Sequence, residues 1–294
     1  MEHIKISSEL VGAETKEYRT EISWRHTTNY AAAVGDNNPF YLDDLRADGL
    51  VAPPMFVCVI SWPLMQNISD FLDFPYPLEV LYTMVHYSQH VEYARPLKPG
   101  IQVKTTGKVI AMVPKRSGIH MLFKLPVTDL DGELYYTEYA GVMLRGVELT
   151  DAGKGAENIP LIPNFAQDSP LIWESVIPIR PEASYIYDGC SNVSFDIHTS
   201  PRFAKMVGLP GIILQGTATL AYAVRELINR ESGGDPTRLK TLSAQFTGMV
   251  LPDSEIKIRL NHRQNLADKT ELGFHVINDK GQTAVRNGYA LISD

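Results

Sequence analysis

The stretch VEYARPLKPGIQVKTTGKVI (residues 91–110) has a counterpart in AQFTGMVLPDSEIKIRLNHR (residues 244–263). In both, an aromatic residue is followed by a turn, then by Pro-Gly or Pro-Asp, then by a run of alternating apolar and polar residues. Pro99 and Pro252 align the two copies at an offset of 153 residues. Self-similarity of this kind indicates a duplicated unit, and alternation bounded by turn residues indicates antiparallel strands.

The two halves also end alike. In the first half a turn at residues 130–134 (LDGEL) precedes the run YYTEYAGVMLRG, and in the second half a turn at residues 278–283 (NDKGQT) precedes AVRNGYALIS. Both runs alternate in polarity and are bounded by Gly, Asp and Asn, so each is predicted to be a strand that pairs antiparallel with its neighbour.

Helical signals lie upstream of the strands. Leu220, Val224, Leu227 and Ile228 are spaced as one apolar stripe of a helix, and the Gly- and Pro-containing segment ESGGDP ends it. In the first half, MFVCVISWPLMQNISDFL is predicted to be the matching helix, bent or interrupted by Pro63. Each half is therefore predicted to be one long helix packed on an antiparallel sheet, an α+β arrangement.

Length and composition fit a duplicated globular chain. The chain has 294 residues, enough for one large or two ordinary domains, and 44% of them are hydrophobic and 21% charged. A segment rich in Gly, Pro and Asn predicts a linker at residues 147–170, between an N-terminal unit at residues 1–146 and a C-terminal unit at residues 171–294.

Charge and cysteine content narrow the classes of function. The net charge of −7 disfavours nucleic acid or an anionic membrane as partner. The sequence has no apolar run long enough to span a bilayer, and MEHIKISSEL lacks the apolar core of a secretory signal, so a cytoplasmic location is predicted. With only Cys58 and Cys190, neither a disulfide framework nor a cysteine metal site is expected.

Two further stretches identify a family. They are GDNNPFYLDD (residues 35–44), followed by VAPPMF, and IHTSPRFAKMVGLPGIILQG (residues 197–216). Over nearly all its length the chain resembles the double hotdog proteins of the MaoC-like dehydratase/hydratase 2 superfamily. The resemblance implies a tandem double hotdog fold, with the halves packed as a pseudo-dimer and each sheet wrapped around its helix.

The family motif is divided between the two halves. Its approximate pattern is G-D-x-N-P-L-H-x-D-P, followed by a helix entered through a turn similar to P-I-x-H-G. The first half keeps the Gly-Asp and Asn-Pro pairs but has Tyr41 in place of the histidine. The second half keeps His198, with Gly216 at the family's spacing of 18 residues. It departs from the pattern in having Val193 for the aspartate, Phe195 for the asparagine, Ser200 for the second aspartate and Gln215 for the histidine before the glycine.

The resemblance implies roles for the residues of the second half. His198 would be the acid/base, since imidazole titrates near neutral pH. Gly216 would offer its backbone N–H to the thioester oxygen, because a helix N-terminus favours developing negative charge. Three replacements for the lost aspartate are open: Asn192 or Ser194 would orient a water, the carboxylate of Asp196 would reach the imidazole, or Asp188 would take the place. The remaining substrate-binding candidates are Gln215, Ser200 and Arg202.

The first half has two interpretations. In double hotdogs the first half has usually lost catalysis, so Asp36 and Asn38 are expected to be turn and helix-capping residues. The alternative is a second, altered site, in which Asp36 and Asn38 act together with the hydroxyl of Tyr41 as proton donor.

The predicted function is that of an acyl-CoA hydratase or dehydratase, which interconverts a 2-enoyl thioester and a 3-hydroxyacyl thioester. The substrate is carried as a CoA thioester, and neither a metal nor a redox cofactor is expected. A hotdog thioesterase is one alternative. A catalytically inactive subunit that associates with another hotdog chain is the other, and a homodimer is also compatible with the sequence.

Overall fold

The strands and helices follow the duplicated order along the chain. The strands are β1 (Lys5–Ile6), β2 (Tyr18–Glu21), β3 (Met84–Tyr93), β4 (Gln102–Thr105), β5 (Lys108–Lys115), β6 (Gly118–Asp129), β7 (Leu134–Arg145), β8 (Glu148–Leu149), β9 (Trp173–Ile179), β10 (Leu239–Phe246), β11 (Ser254–Asn265), β12 (Lys269–Asn278) and β13 (Thr283–Ser293). The helices are α1 (Trp24–Ala33), α2 (Pro39–Leu42), α3 (Val57–Gln66), α4 (Ile68–Phe71), α5 (Ala183–Ser191), α6 (Pro201–Met206) and α7 (Gly216–Glu231). Short 3₁₀ helices cover Pro54–Phe56, Leu78–Thr83, Ala156–Asn158, Asp196–His198 and Pro236–Arg238.

One antiparallel sheet runs through both halves. In this computed structural model, which describes residues 4–166 and 169–293, the strand order is β2-β4-β6-β7-β3-β10-β13-β12-β11-β9, and β5 also pairs with β6. The halves join where β3 pairs antiparallel with β10, from Glu92 opposite Thr241 to Ser88 opposite Gln245. The duplicated α+β fold predicted from the sequence is therefore confirmed.

The strand after each repeated proline differs between the halves. In the second half β11 is continuous, whereas its counterpart is divided into β4 and β5 by Thr106 and Gly107. At the break, the backbone N–H of Gly107 donates to the Thr15 hydroxyl at 2.8 Å, and the N–H of Thr15 donates to the Gly107 carbonyl at 2.8 Å. The segment around Thr15 thus satisfies backbone groups that the sheet would otherwise bond.

The long helix of the second half is α7, and its apolar stripe is buried as predicted. Leu220, Val224, Leu227 and Ile228 are each at most 3% exposed. The stripe has the 3.6-residue period of a helix that rests one face on a sheet. Position and burial together make α7 the core helix that the second half of the sheet wraps.

The matching helix of the first half is interrupted, as predicted, but beyond Pro63 rather than at it. Pro63 lies inside α3, which ends at Gln66, and α4 begins two residues later. The break is at Asn67, whose side-chain amide donates to the Pro63 carbonyl at 2.9 Å. The same carbonyl accepts from the backbone N–H of Asn67 at 3.3 Å, so both the side chain and the backbone of Asn67 bond to the last turn of α3.

The segment predicted as a linker packs on the first half. In it, β8 pairs in parallel with β1, and Lys154 exchanges backbone hydrogen bonds with Met112 at 2.9 and 3.0 Å. Gly155 takes a positive φ of 79°, and a Cβ on it would lie 2.0 Å from the carbonyl oxygen of Ile110. This close approach explains a glycine at that position. In the described ranges, no helix is long and apolar enough to cross a membrane.

A carboxyl group is buried in the core of the first half. Glu138 on β7 is 1% exposed and accepts hydrogen bonds from the side chains of Gln89 at 2.9 Å and Ser61 at 3.1 Å. Its second oxygen, Oε2, has no partner among the described residues. Burial raises the pKa of Glu138 to about 7, although both hydrogen bonds oppose the shift.

Glu138 should therefore contribute a loss of stability as pH rises from about 4.5 to about 7, whereas buried histidines with a lowered pKa, such as His86 and His120, contribute a gain over much of the same range. In this window the folded state keeps the Glu138 proton and the unfolded state releases it, and the difference amounts to roughly 3 kcal/mol. In urea unfolding followed across pH, Glu138→Gln should remove this contribution, so that its stability relative to that of the unmodified protein rises from pH 4.5 to 7. Burying the amide costs stability by the same amount at every pH, so it does not change the slope of stability against pH. Glu133→Gln, an exposed carboxyl, is the control, and equal slopes for all three proteins would contradict the assignment.

Candidate active site

His198 is held in one orientation by the backbone. Its ring nitrogen Nδ1 lies 2.8 Å from the carbonyl oxygen of Ile213. A carbonyl can only accept, so Nδ1 carries the hydrogen and the other nitrogen, Nε2, is the proton acceptor of the neutral ring. Burial lowers the pKa of His198 to about 4, and the Ile213 carbonyl works against that shift. The ring is therefore neutral at physiological pH, with a base at Nε2.

Ser184 connects His198 with Gln215, and sequence reasoning did not identify it. The Ser184 hydroxyl donates to the same Ile213 carbonyl at 3.3 Å, and the Ser184 carbonyl accepts from the Gln215 side-chain amide at 3.2 Å. Ser184 lies on α5 and is fully buried. The amide nitrogen of Gln215 is thus occupied, while its oxygen Oε1 is buried with no partner within the described ranges. Gln215 therefore has a buried acceptor that no described group satisfies.

The first turn of α7 starts beside this network. Gly216 is its first residue, and the leading N–H groups of a helix have no carbonyl partner inside the helix. Gln215 is at the cap position but makes no side-chain capping bond in the described structure. A Cβ on Gly216 would lie 3.1 Å from the Phe246 ring. Packing against Phe246 therefore also favours glycine here, independently of any ligand.

The candidate orienting groups do not act on the pKa of His198. Asn192 is exposed and ends α5 in the left-handed conformation, with φ at 57°. Asp196 is exposed on the short helix that ends with His198. Burial, with the nearby Asp196 charge, raises the pKa of Asp188. The pKa of His198 is set by burial, which lowers it, and by the Ile213 carbonyl, which raises it, and no carboxylate is among its causes.

The other predicted residues lie at the entrance to α6. The Ser200 hydroxyl accepts from the backbone N–H of Phe203 at 3.2 Å and caps the helix. Arg202 is exposed on the first turn of α6. Val193, in the family's aspartate position, is buried, and Phe195, in the asparagine position, stacks edge-on against Phe203 with ring centroids 6.1 Å apart. Apolar packing thus occupies the places of two polar family residues.

In the first half the family motif has structural contacts. The Asp36 carboxylate accepts from the Asn38 N–H at 3.2 Å, and the Asn38 side chain caps α2 by accepting from Phe40 at 2.9 Å. The Asn38 amide also donates to the carbonyl of Gly234, beyond the end of α7, at 2.7 Å. Burial raises the pKa of Asp36 to about 6, although Arg225 opposes this. The motif therefore joins the first half to the C-terminal end of α7.

Tyr41 occupies the position that corresponds to His198, but the first half has no glycine at the position that corresponds to Gly216. Ala52 and Leu214 make equivalent backbone hydrogen bonds, to Leu97 and Val250, which are 153 residues apart. Two residues beyond Ala52 stands Pro54, which has no N–H to offer. The Tyr41 hydroxyl is buried, with no partner in the described part of the chain. Asp36, Asn38 and Tyr41 are thus close together but without that helix-opening donor.

Among the described residues, no group of three or more His, Cys, Asp or Glu side chains is arranged to hold a metal ion.

Two family profiles together match most of the chain. The MaoC like domain matches residues 165–282, and the FAS1-like, dehydratase domain region matches residues 9–134. The second half of the chain therefore carries a MaoC like domain, and the first half carries a FAS1-like dehydratase domain region.

Named relatives and solved structures agree with these two domain matches. The peroxisomal enoyl-CoA hydratase 2 of Arabidopsis thaliana is 25% identical over 83% of this chain and 82% of its own length. The enoyl-CoA hydratase ChsH3 of Mycobacterium tuberculosis is 23% identical, and the alignment spans only 60% of either chain. The crystal structure of a MaoC-like dehydratase from Phytophthora capsici superposes with a TM-score of 0.83 over 97% of this chain and 98% of its own, at 21% identity.

A double hotdog protein from M. tuberculosis superposes with a TM-score of 0.61 over 95% of both chains, at 13% identity. The double hotdog fold predicted from the sequence is confirmed.

Gly216→Ala should destabilise the protein by about 1 kcal/mol, because its methyl group presses on the Phe246 ring. Gly189→Ala is the matched control. Gly189 is an exposed residue inside α5, and a Cβ there meets no atom within 4 Å. That variant should gain about 0.5–1 kcal/mol from helix propensity. Thermal unfolding measures both, and a Gly216→Ala protein as stable as Gly189→Ala would contradict the packing role.

Proposed function

We propose that the protein is an acyl-CoA hydratase/dehydratase, a hydro-lyase that interconverts a 2-enoyl thioester and a 3-hydroxyacyl thioester with His198 as its acid/base. The observation that carries the proposal is the orientation of His198. Its Nδ1–H is fixed on the carbonyl of Ile213, three residues before the start of α7, so that Nε2 is the base of the ring. The names of the Arabidopsis and M. tuberculosis relatives support the same reaction class.

In the hydration direction, Nε2 of His198 takes a proton from water while the water oxygen bonds to C3 of the enoyl group. The C2–C3 π pair moves toward the thioester oxygen, which becomes negative in the enolate-like state. The N–H groups at the start of α7 stabilise that charge, with Gly216 as first donor. The imidazolium then returns its proton to C2, which completes the 3-hydroxyacyl thioester. Dehydration is the reverse.

Gln215 orients the attacking water in this proposal. Its Oε1 is a buried acceptor without a partner in the described ranges, and Nε2 of the same amide is fixed on Ser184. An acceptor of this kind holds the hydrogen of water that His198 does not remove. Asn192 and Asp196 remain alternatives for this role, and Arg202 is proposed to contact the substrate's carrier group because it is an exposed cation near His198 in the sequence.

Three further properties stay proposals. Acid/base hydration needs an acid, a base and oxyanion donors, so no cofactor enters the scheme. A cytoplasmic location is tested by imaging a tagged chain, a relevant test because the Arabidopsis relative is named peroxisomal. Self-association, or association with another hotdog chain, is tested by light scattering on the purified protein.

His198→Ala should lower kcat/KM for enoyl-CoA substrates by about 100-fold or more, because it removes the group that transfers the proton. The assay follows loss of enoyl absorbance and release of free thiol together, on a panel of enoyl-CoA thioesters. His275→Ala is the control, since burial also lowers the pKa of that β12 histidine. Unchanged enoyl loss in His198→Ala would contradict the site, and thiol release would instead indicate a thioesterase.

The pH profile tests the same histidine. A base whose pKa is lowered to about 4 remains unprotonated far below neutral pH. We therefore expect kcat/KM to stay level from pH 8 to about 5.5 and to fall only as pH approaches 4. A histidine with its ordinary pKa would give a decline centred near 6.5. A decline at that pH would contradict a base with the lowered pKa of His198.

A further inference from the structure

Two buried tyrosines connect the halves to the first turn of α7. The Tyr187 hydroxyl donates to the Thr217 hydroxyl oxygen at 3.1 Å, and the hydroxyls of Tyr30 and Tyr187 are 3.2 Å apart. Tyr30 is 0% exposed, Tyr187 1% and Thr217 5%. Each hydroxyl has one hydrogen, and Tyr187 gives its hydrogen to Thr217. Tyr30 therefore donates to Tyr187, and the chain of bonds runs from α1 through α5 to α7.

We infer that Tyr30 and Tyr187 are positioning residues, which fix the first turn of α7 so that its N–H groups meet the thioester oxygen. The inference rests on the proposed function and extends it to residues of both halves. Thr217 is the second residue of α7, directly after Gly216. A bond to its side chain therefore fixes the turn that carries the donors.

The start of α7 is held from the side and not by a cap. Side chains cap α1, α2 and α6, from Ser23, Asn38 and Ser200, whereas α3, α4 and α5 have no side-chain cap bond in the described structure. The cap residue of α7 makes no such bond in the same part of the chain. A side-chain cap would occupy the N–H groups that a substrate oxygen has to reach. The bond to Thr217 holds the turn from the side and leaves those groups available.

The two tyrosines occupy corresponding positions, yet their bonds are not symmetric. Each lies five residues before a residue with positive φ, which is Gly35 at 60° after Tyr30 and Asn192 at 57° after Tyr187. The rings meet each other with centroids 5.6 Å apart. In the first half, Met55 is the counterpart of Thr217 and has no hydroxyl. The chain of donors can therefore end only on α7, in the half that carries His198.

Both phenols keep their hydrogens throughout the pH range of an assay. Burial raises the pKa of Tyr30 well above its ordinary value, and the pKa of Tyr187 is raised by the same cause. Loss of the anchor should therefore lower the rate equally at every pH. That separates it from a change in the protonation of His198, which would shift the profile along the pH axis.

The experiment compares Tyr187→Phe, Thr217→Val and Thr217→Ser in the full chain, with crotonyl-CoA as substrate. Tyr187→Phe and Thr217→Val should each lower kcat by about 10- to 100-fold, because misplaced donors lose transition-state stabilisation. KM should change less than threefold, and the pH profile should keep its shape. Thr217→Ser keeps the hydroxyl and should stay within twofold of the unmodified protein. Tyr30→Phe, which removes only the outer bond, should have a smaller effect than Tyr187→Phe.

The control is Tyr136→Phe, which removes a buried hydroxyl that has no partner among the described residues. Tyr136→Phe should leave kcat within twofold of the value for the unmodified protein. Equal losses in Thr217→Val and Thr217→Ser would overturn the inference, and so would a loss confined to KM.

Hydrogen exchange supplies a readout that does not depend on turnover. The Thr219 N–H bonds to the Gln215 carbonyl at 3.1 Å, within the anchored turn. Its exchange should accelerate at least tenfold in Tyr187→Phe and Thr217→Val but not in Tyr136→Phe. Unchanged exchange would show that the tyrosines do not hold the first turn of α7. Faster exchange with normal kcat would show that they hold it but that this contact does not serve catalysis. If the unmodified chain turned over no enoyl thioester, the proposed function would fail, and exchange would still decide whether the tyrosines anchor α7.

Discussion

The antiparallel pairing of β3 with β10 determines where the rest of the molecule can place its chemistry. This pairing makes one sheet from two, so neither half has a free edge at the junction. It also brings the end of β10 next to the start of β3. There the Phe246 ring packs on the Gly216 turn and meets the His86 ring of the first half at 4.7 Å. The start of α7 therefore receives contacts from both halves, and neither half alone reproduces its surroundings.

Within this nearly symmetric frame, a few side chains distinguish the half with the proposed site from the other half. Pro54 stands where the second half has Gly216, so the first half lacks one helix-start donor. Tyr41 stands where the second half has His198, and its hydroxyl is buried without a partner in the described structure. The first half has instead kept the polar motif for assembly, since Asn38 bonds to the carbonyl of Gly234. A duplicated fold can give up one site and retain its contacts, because the sheet depends on backbone pairing rather than on motif side chains.

The sequence could predict those features in which apolar residues repeat at a regular spacing along the chain. The stripe of α7 is visible because burial repeats every turn, and the strands are visible because their two faces alternate. The same alternation places Glu138 on the face of the strand that carries Tyr136 and Ala140. The sequence does not indicate that this face is buried, because a glutamate is ordinarily an exposed residue. The contact of Tyr30 with Tyr187 joins residues 157 apart, and no periodicity predicts it.

The candidate site was predictable to the extent that the family motif is continuous along the chain. His198 and Gly216 were found because their spacing survives, and the structure connects His198 to the loop before Gly216 through the Ile213 carbonyl. Ser184 was missed because its role depends on a hydroxyl and a carbonyl that face this loop from another helix. A serine within a predicted helix has no distinguishing pattern. The position of such a residue follows only from the way α5 packs beside the loop.

The missing carboxylate has a consequence for how such a site would work. A histidine whose pKa is lowered to about 4 is a weak base toward water, but its imidazolium form is a correspondingly strong acid toward C2. Forming that imidazolium needs a nearby negative charge, and without a carboxylate the enolate-like thioester oxygen is the charge that the reaction itself provides. Stabilisation of that oxygen by α7 and protonation of His198 then become interdependent. A site of this kind depends more strongly on a fixed helix start than one with its own aspartate, and the tyrosine chain from the first half supplies that fixation.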